Sequence, residues 1–204
     1  MSFKKLIQPL KDRLEHRGFT EPFAFQKLVL PKIKSGASLY CIAPEGAGKT
    51  TSIVLSVIQK LKGEAFEDAP RALIFVKDKQ AALDLELEFK GFLKRSTLRV
   101  YCAYDEKQID IQRDEIYVGV DVIIGTPKRL NKLFFLNALN LNKLQMFIVE
   151  DAEFLFRNNN LSEISRTPES IGKCQYLIFA STFDKRFERW RDSFMYNAQR
   201  VISK

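Results

Sequence analysis

Short apolar runs alternate along this chain with longer segments in which apolar side chains recur every three or four positions. The runs 39–42, 72–76, 98–102, 121–125, 146–149 and 175–180 read as buried strands, and Val201-Ile202 as a short final one. Between them lie helical patterns. Residues 3–17 place Leu6, Ile7, Leu10 and Leu14 on one face and stop at Gly18. Residues 23–34 form a second helix, in which Pro31 predicts a kink or a break. Helices are also expected over 51–58, 80–93 and 127–136. A last one is expected over 184–197, where Phe183, Phe187, Trp190 and Phe194 fall at helical spacing with Arg186, Arg189 and Arg191 between them. Residues 63–70 are polar and turn-like. Strands separated by helices predict an α/β domain whose mostly parallel sheet is covered by helices on both faces. Ligands of such sheets bind beyond the carboxyl ends of the strands.

With 204 residues the chain suits one domain, 1–204, in which helical residues 1–36 precede an α/β core at 37–204. Charged residues make up 28% and no apolar run is long enough to span a bilayer, so no membrane partner is expected. The N-terminus lacks the apolar core of a secretory signal. Cys41, Cys102 and Cys174 are odd in number and far apart, which suits core packing in a reducing cytoplasm better than a metal site. His16 is expected on the surface. The formal net charge of +8 favours a polyanionic partner, most simply nucleic acid.

The segment 43–50, Ala-Pro-Glu-Gly-Ala-Gly-Lys-Thr, sharpens that picture. It joins a strand to a helix, so loop N–H groups and the positive end of the helix dipole face the same point, as phosphate binding requires. Gly46 and Gly48 permit backbone angles and a close approach that a Cβ would block. The nucleotide ligands expected are Pro44, Glu45, Gly46, Ala47, Gly48, Lys49, Thr50 and Thr51. Lys49 would reach the outer phosphates and Thr50 would ligate Mg²⁺. Ala43 stands where the usual pattern has its first Gly.

Five stretches, the phosphate loop among them, fall in a recognisable order. Residues 18–26, ending in Gln26, resemble the Q motif of the DEAD-box RNA helicases. The phosphate loop follows. Gly125-Thr126-Pro127-Lys128-Arg129-Leu130 resembles that family's Thr-Pro-Gly-Arg RNA-contacting motif. Glu150-Asp151-Ala152-Glu153 stands where its Asp-Glu-Ala-Asp signature falls, and Ala180-Ser181-Thr182 where Ser-Ala-Thr falls. The resemblance covers nearly the whole chain and corresponds to the first of the family's two RecA-like domains. It implies a RecA-like phosphate-loop fold, ATP and Mg²⁺ as cofactors, and RNA as partner. Gln26 would read adenine, since one amide both donates and accepts, with Phe19 or Phe3 stacking on the base. Thr50 and Glu150 would hold the metal, and Asp151 would orient water. Lys79, Thr126, Pro127, Lys128 and Arg129 would contact nucleic-acid phosphates without reading sequence. Glu153, Ser181 and Thr182 would couple hydrolysis to RNA.

Departures from the family pattern lower the expected activity. The acidic pair is inverted, Glu150 before Asp151, so each carboxylate differs in reach by one methylene. A metal that keeps several waters absorbs such a change. A base does not, since a misplacement of about 1 Å reduces rate on the order of a hundredfold. Lys79 replaces an Arg, the family's Gly-Gly is missing near Ala103-Tyr104-Asp105, and the Ser of Ser-Ala-Thr has moved to Ser181. The second domain, with its arginine finger worth about a thousandfold or more, is not within these residues. The expected function is therefore an ATP-binding, RNA-associated domain with weak or partner-dependent hydrolysis and no unwinding alone. A protein partner replacing the second domain fits the same reading. The rivals are a non-catalytic nucleotide-binding scaffold and a first domain cut from a two-domain helicase.

Overall fold

In the computed structural model, residues 3–94, 96–157, 160–165 and 171–203 are described. Seven strands form one sheet: β1 (Leu39–Ile42), β2 (Ala72–Phe75), β3 (Val100–Ala103), β4 (Val122–Gly125), β5 (Met146–Val149), β6 (Gln175–Ala180) and β7 (Gln199–Ile202). Their spatial order is β3-β4-β2-β5-β6-β1-β7, and every pairing is parallel. The helices are α1 (Gln8–His16), α2 (Ala24–Lys34), α3 (Lys49–Leu61), α4 (Lys79–Phe92), α5 (Ile109–Tyr117), α6 (Pro127–Phe135) and α7 (Asn160–Ser165).

The alternation of side chains along each strand divides the core in two. Leu39, Cys41, Ile74, Ile124, Ile148 and Phe179 face one layer with α1, α2, α3 and α4. Their neighbours Tyr40, Ile42, Phe75, Ile123, Phe147 and Ile178 face the other, with α5, α6, α7 and the aromatic segment before β7. Both faces are covered, which is why the strands read as continuous apolar runs.

Three expectations need correction, and one helix, α5, is not among those expected. The amphipathic run 3–17 is split into a 3-10 turn, Phe3–Lys5, and α1. Pro9 sits in the first turn of α1, and Ile7 stays extended with its N–H donated to Gln59 Oε1 at 2.8 Å. Proline has no N–H, which costs nothing in the first turn of a helix but would break a longer one, so Pro9 suits a helix start. α2 runs through Pro31 without a break. The helix expected at 184–197 is only a 3-10 segment, Lys185–Trp190. Its aromatic spacing serves a ring cluster: Phe187 stacks near Tyr40, Phe183 and Trp190, and Phe194 packs on Phe147 and Tyr176. α5 has no clear apolar stripe in the sequence, because it buries Gln112 along with Ile116.

Cys41 and Cys102 are buried in strands, Cys174 lies half-buried just before β6, and His16 is exposed. Among the described residues no helix is long and apolar enough to cross a membrane.

Candidate functional site

The carboxyl ends of β1, β5 and β6 bring the phosphate loop, the acidic pair and Ser181 together. Ala43 continues the β1 ladder, its N–H donated to the Ala180 carbonyl at 3.1 Å, and it is fully buried. Just past β1, Ala43 does not have a positive φ, so alanine replaces glycine there without left-handed strain. The turn itself needs glycine. Gly46 and Gly48 have φ of 77° and 86°. A Cβ on Gly48 would also lie 2.8 Å from Gln26 Nε2, so this glycine is required twice over.

Lys49 is the first residue of α3 and is buried. Its ammonium donates to the Ala43 carbonyl at 2.9 Å, to the Pro44 carbonyl at 3.4 Å and to Ser181 Oγ at 2.9 Å. Asp151 Oδ1 lies 3.8 Å away. Thr50 Oγ1 donates to Glu150 Oε1 at 2.7 Å. Glu150 is buried, and burial pushes its carboxyl up to about 7, against the Thr50 hydrogen bond. Asp151 is exposed and holds a left-handed backbone, φ 45°, a conformation that costs a non-glycine residue free energy and recurs at functional sites. Glu153 accepts from the N–H groups of Ser181 and of Thr182, the latter at 3.1 Å, which ties the end of β5 to the end of β6.

These residues fit an Mg²⁺–nucleotide. A buried carboxylate that resists ionisation beside a threonine hydroxyl suits a divalent cation, which would favour the charged form. Among the described residues no group of three or more His, Cys, Asp or Glu forms a metal cage. Mg²⁺ that keeps waters and shares phosphate oxygens needs only one or two protein ligands.

The upstream residues divide. Gln26 is buried at the start of α2, accepting from the Phe23 N–H at 3.0 Å and donating to the Gly48 carbonyl at 3.4 Å. It therefore touches the phosphate loop. It also lines a cavity of about 200 Å³ with Phe3, Leu30, Ile33 and Ser56. Phe19 is held elsewhere, packed on Phe92 and under Arg17. Of the two stacking candidates, Phe3 is the one that shares a cavity with Gln26. The Thr51 hydroxyl is turned toward α4, onto Glu88 at 3.2 Å. Pro44, Glu45 and Gly46 are exposed at the mouth, with Ala47 half-buried.

A second cluster occupies the same rim farther along, at β3 and β4. Thr126 precedes α6 without a side-chain capping bond, Pro127 opens it and Lys128 is exposed. Arg129 is buried and already partnered. Its Nη2 donates to the Asp105 carbonyl at 2.6 Å, and its Nε lies 3.3 Å from Asp105 Oδ1. Lys79 stacks its ammonium 5.0 Å from the centre of the Tyr104 ring. The sequence offers one signal for Asp105: it is an acid just past the carboxyl end of a strand. The Ser181–Lys49 contact has none, because it depends on how β6 registers against β1.

Known proteins resemble this chain along most of its length. The family model described as DEAD/DEAH box helicase matches residues 23–190. The chain is 32% identical over 191 residues to the pre-mRNA-processing ATP-dependent RNA helicase PRP5 of Candida albicans, covering 90% of this chain and 21% of that protein. It is 27% identical over 207 residues to the ATP-dependent RNA helicase RhlB of Vibrio cholerae, covering 96% and 47%. The chain thus spans from about a fifth to about half of these relatives. Among solved structures, a DEAD box protein from the hyperthermophile Methanococcus jannaschii superposes with a TM-score of 0.91, over 100% of this chain and 56% of that one. Dbp5 of S. cerevisiae, solved bound to gle1 and ip6, gives 0.85 over 100% and 52%. Both are 19% identical and show the RecA-like fold alone. By the family match, the chain belongs to the DEAD/DEAH box helicases.

Proposed function

We propose that this chain binds ATP with Mg²⁺ and associates with RNA, and that it hydrolyses ATP slowly or only with a partner. The observation that carries this reading is the convergence of Lys49, Thr50, Glu150 and Asp151 at one rim. The Lys49 ammonium is held by carbonyl and hydroxyl oxygens, which phosphate oxygens can replace at little cost. Glu150 and Thr50 would hold the metal, which supplies charge neutralisation on the phosphates. Loop N–H groups would bind the phosphates, and Gln26 with Phe3 would hold the base. Asp151, exposed and close to Lys49, would orient a water.

Slow turnover follows from the inverted pair. Asp151 has one methylene less than the glutamate of the family signature, and geometric error at a base reduces rate steeply. The arginines that would complete the cleft are not among these residues. A protein partner or a second domain supplies them in this reading, and unwinding by these residues alone is not expected. The solved relative dbp5 carries gle1, which makes a protein partner a concrete form of the hypothesis.

The test is ATP binding and turnover with and without RNA, in the wild type and in Lys49→Ala. Binding of Mg²⁺–ATP that is lost in the variant is the expected result. Turnover is expected to be low and to rise with RNA or a partner. A wild-type chain that binds no ATP removes this reading. Binding without any turnover, under RNA and partner alike, moves the protein to the scaffold reading.

A further inference from the structure

Asp105 lies in the nucleic-acid rim, and the roles so far assigned there do not account for it. It lies two residues past the end of β3, where the sheet presents its carboxyl edge. Its Oδ2 accepts from Thr126 Oγ1 at 3.5 Å, and its Oδ1 faces Arg129 Nε at 3.3 Å. The Arg129 side chain is 7% exposed, while that of Asp105 is 46% exposed. The backbone beneath is fixed. Gln112 Nε2 donates to the Tyr104 carbonyl at 3.0 Å, and Arg129 Nη2 to the Asp105 carbonyl. A Cβ on Gly125 would come within 2.6 Å of the Ala103 carbonyl. The strand end and the start of α6 are therefore in close contact, and the Asp105 carboxylate lies over that junction.

The groups under this carboxylate are those an anion would seek: the Thr126 hydroxyl, the buried guanidinium, and the free N–H groups in the first turn of α6. Arg129 Nε and the carboxylate make an ion pair by distance, yet the buried Nε has no aligned hydrogen-bond partner. A donor remains for a better-placed oxygen. We propose that Asp105 is an internal competitor for nucleic-acid phosphate. Its carboxylate occupies the position of a backbone phosphate on Thr126 and Arg129, and it sets how strongly this rim holds RNA. The proposal rests on the reading of this rim as the RNA-facing one.

The physical consequence is an electrostatic threshold. Two exposed acids, Asp105 and Glu106, stand among the cations Lys79, Lys128 and Arg129. A phosphate must displace the carboxylate and approach its negative charge before it reaches the guanidinium. The backbone is anchored, so only the half-exposed Asp105 side chain has to turn away.

Anisotropy titration of a fluorescent single-stranded oligouridylate, at several salt concentrations, tests this with the full chain. The variants are Asp105→Asn, Asp105→Ala and Lys128→Ala. Both Asp105 variants are expected to bind about three- to fivefold more tightly, the size of one exposed charge pair. Their affinity should fall more steeply with salt, by up to about 0.7 in log–log slope for one more phosphate neutralised. Lys128→Ala should bind more weakly. Unchanged or weaker binding by both Asp105 variants, with weaker binding by Lys128→Ala, overturns the competitor while leaving the rim as the RNA surface. Absence of binding by all four proteins at low salt overturns the rim itself, and the competitor with it.

Discussion

Two clusters share one edge of the sheet and are built in opposite electrostatic senses. At β1, β5 and β6 a buried acid, Glu150, is left with a hydroxyl partner and is driven toward its neutral form. At β3 and β4 a buried base, Arg129, is matched by an acid from its own chain. The first arrangement would be stabilised by an arriving cation; the second would give up an existing ion pair to an arriving anion. In a chain with net charge +8, attraction of polyanions is general, and local pairing decides where one settles. Placing charged residues on a rim does not by itself make them available.

The comparison is open to breakage, first at its best-defined point. Gly48→Ala puts a side chain into left-handed backbone and against Gln26. It should cost about 2–4 kcal/mol in denaturant unfolding, from strain plus overpacking, and abolish ATP binding. A loss under about 1 kcal/mol would show that the loop yields easily. Next in size is the pH response of Glu150 in EDTA. Its carboxyl is raised from 4.5 to about 7 in the folded chain, so the folded state prefers the protonated form. The associated stability is complete below about pH 4.5 and is lost as pH rises through about 7. The total is about 3 kcal/mol. Glu150→Gln should flatten that decline and unfold later than wild type at about pH 8, while weakening Mg²⁺-dependent nucleotide binding. A parallel pH dependence in the variant would move the effect elsewhere.

Arg129→Ala tests the other cluster. If its guanidinium holds the 104–105 loop, stability should fall by about 1–3 kcal/mol. RNA binding should weaken with it; an unchanged midpoint would show that the guanidinium does not hold that loop. The smallest effect belongs to Lys128→Ala. This exposed residue should change stability by less than about 0.5 kcal/mol and weaken RNA binding by a modest factor that vanishes at high salt.

Much of the fold is legible in the sequence because a fully covered parallel sheet writes itself as apolar runs. β1, β5 and β6 appear as read, and the other strands are shifted at their ends by a residue or two. Two segments hide their structure for different reasons. In 184–197 the aromatic spacing serves a packed ring cluster, not a helix. In α5 the buried face includes a glutamine bonded to the Tyr104 carbonyl, so its periodicity is hidden. The phosphate loop is legible because its chemistry is local: glycines, a lysine and a threonine in close succession. Arg129 reads as an RNA contact from the same kind of local pattern, yet its partner lies 24 positions upstream.

The sequence by itself determined the strand–loop–helix suited to phosphate, the order of the elements and the inverted acidic pair. These depend on neighbours in the chain, whose geometry the backbone fixes. Tertiary structure alone decided that Ser181 reaches Lys49, that Glu153 clasps the end of β6, that Phe3 joins Gln26 in one cavity while Phe19 does not, and that Asp105 covers Arg129. Each of these contacts joins residues brought together by strand order and helix docking. Burial then sets their charge states, because desolvation depends on what surrounds a group and not on its neighbours in sequence.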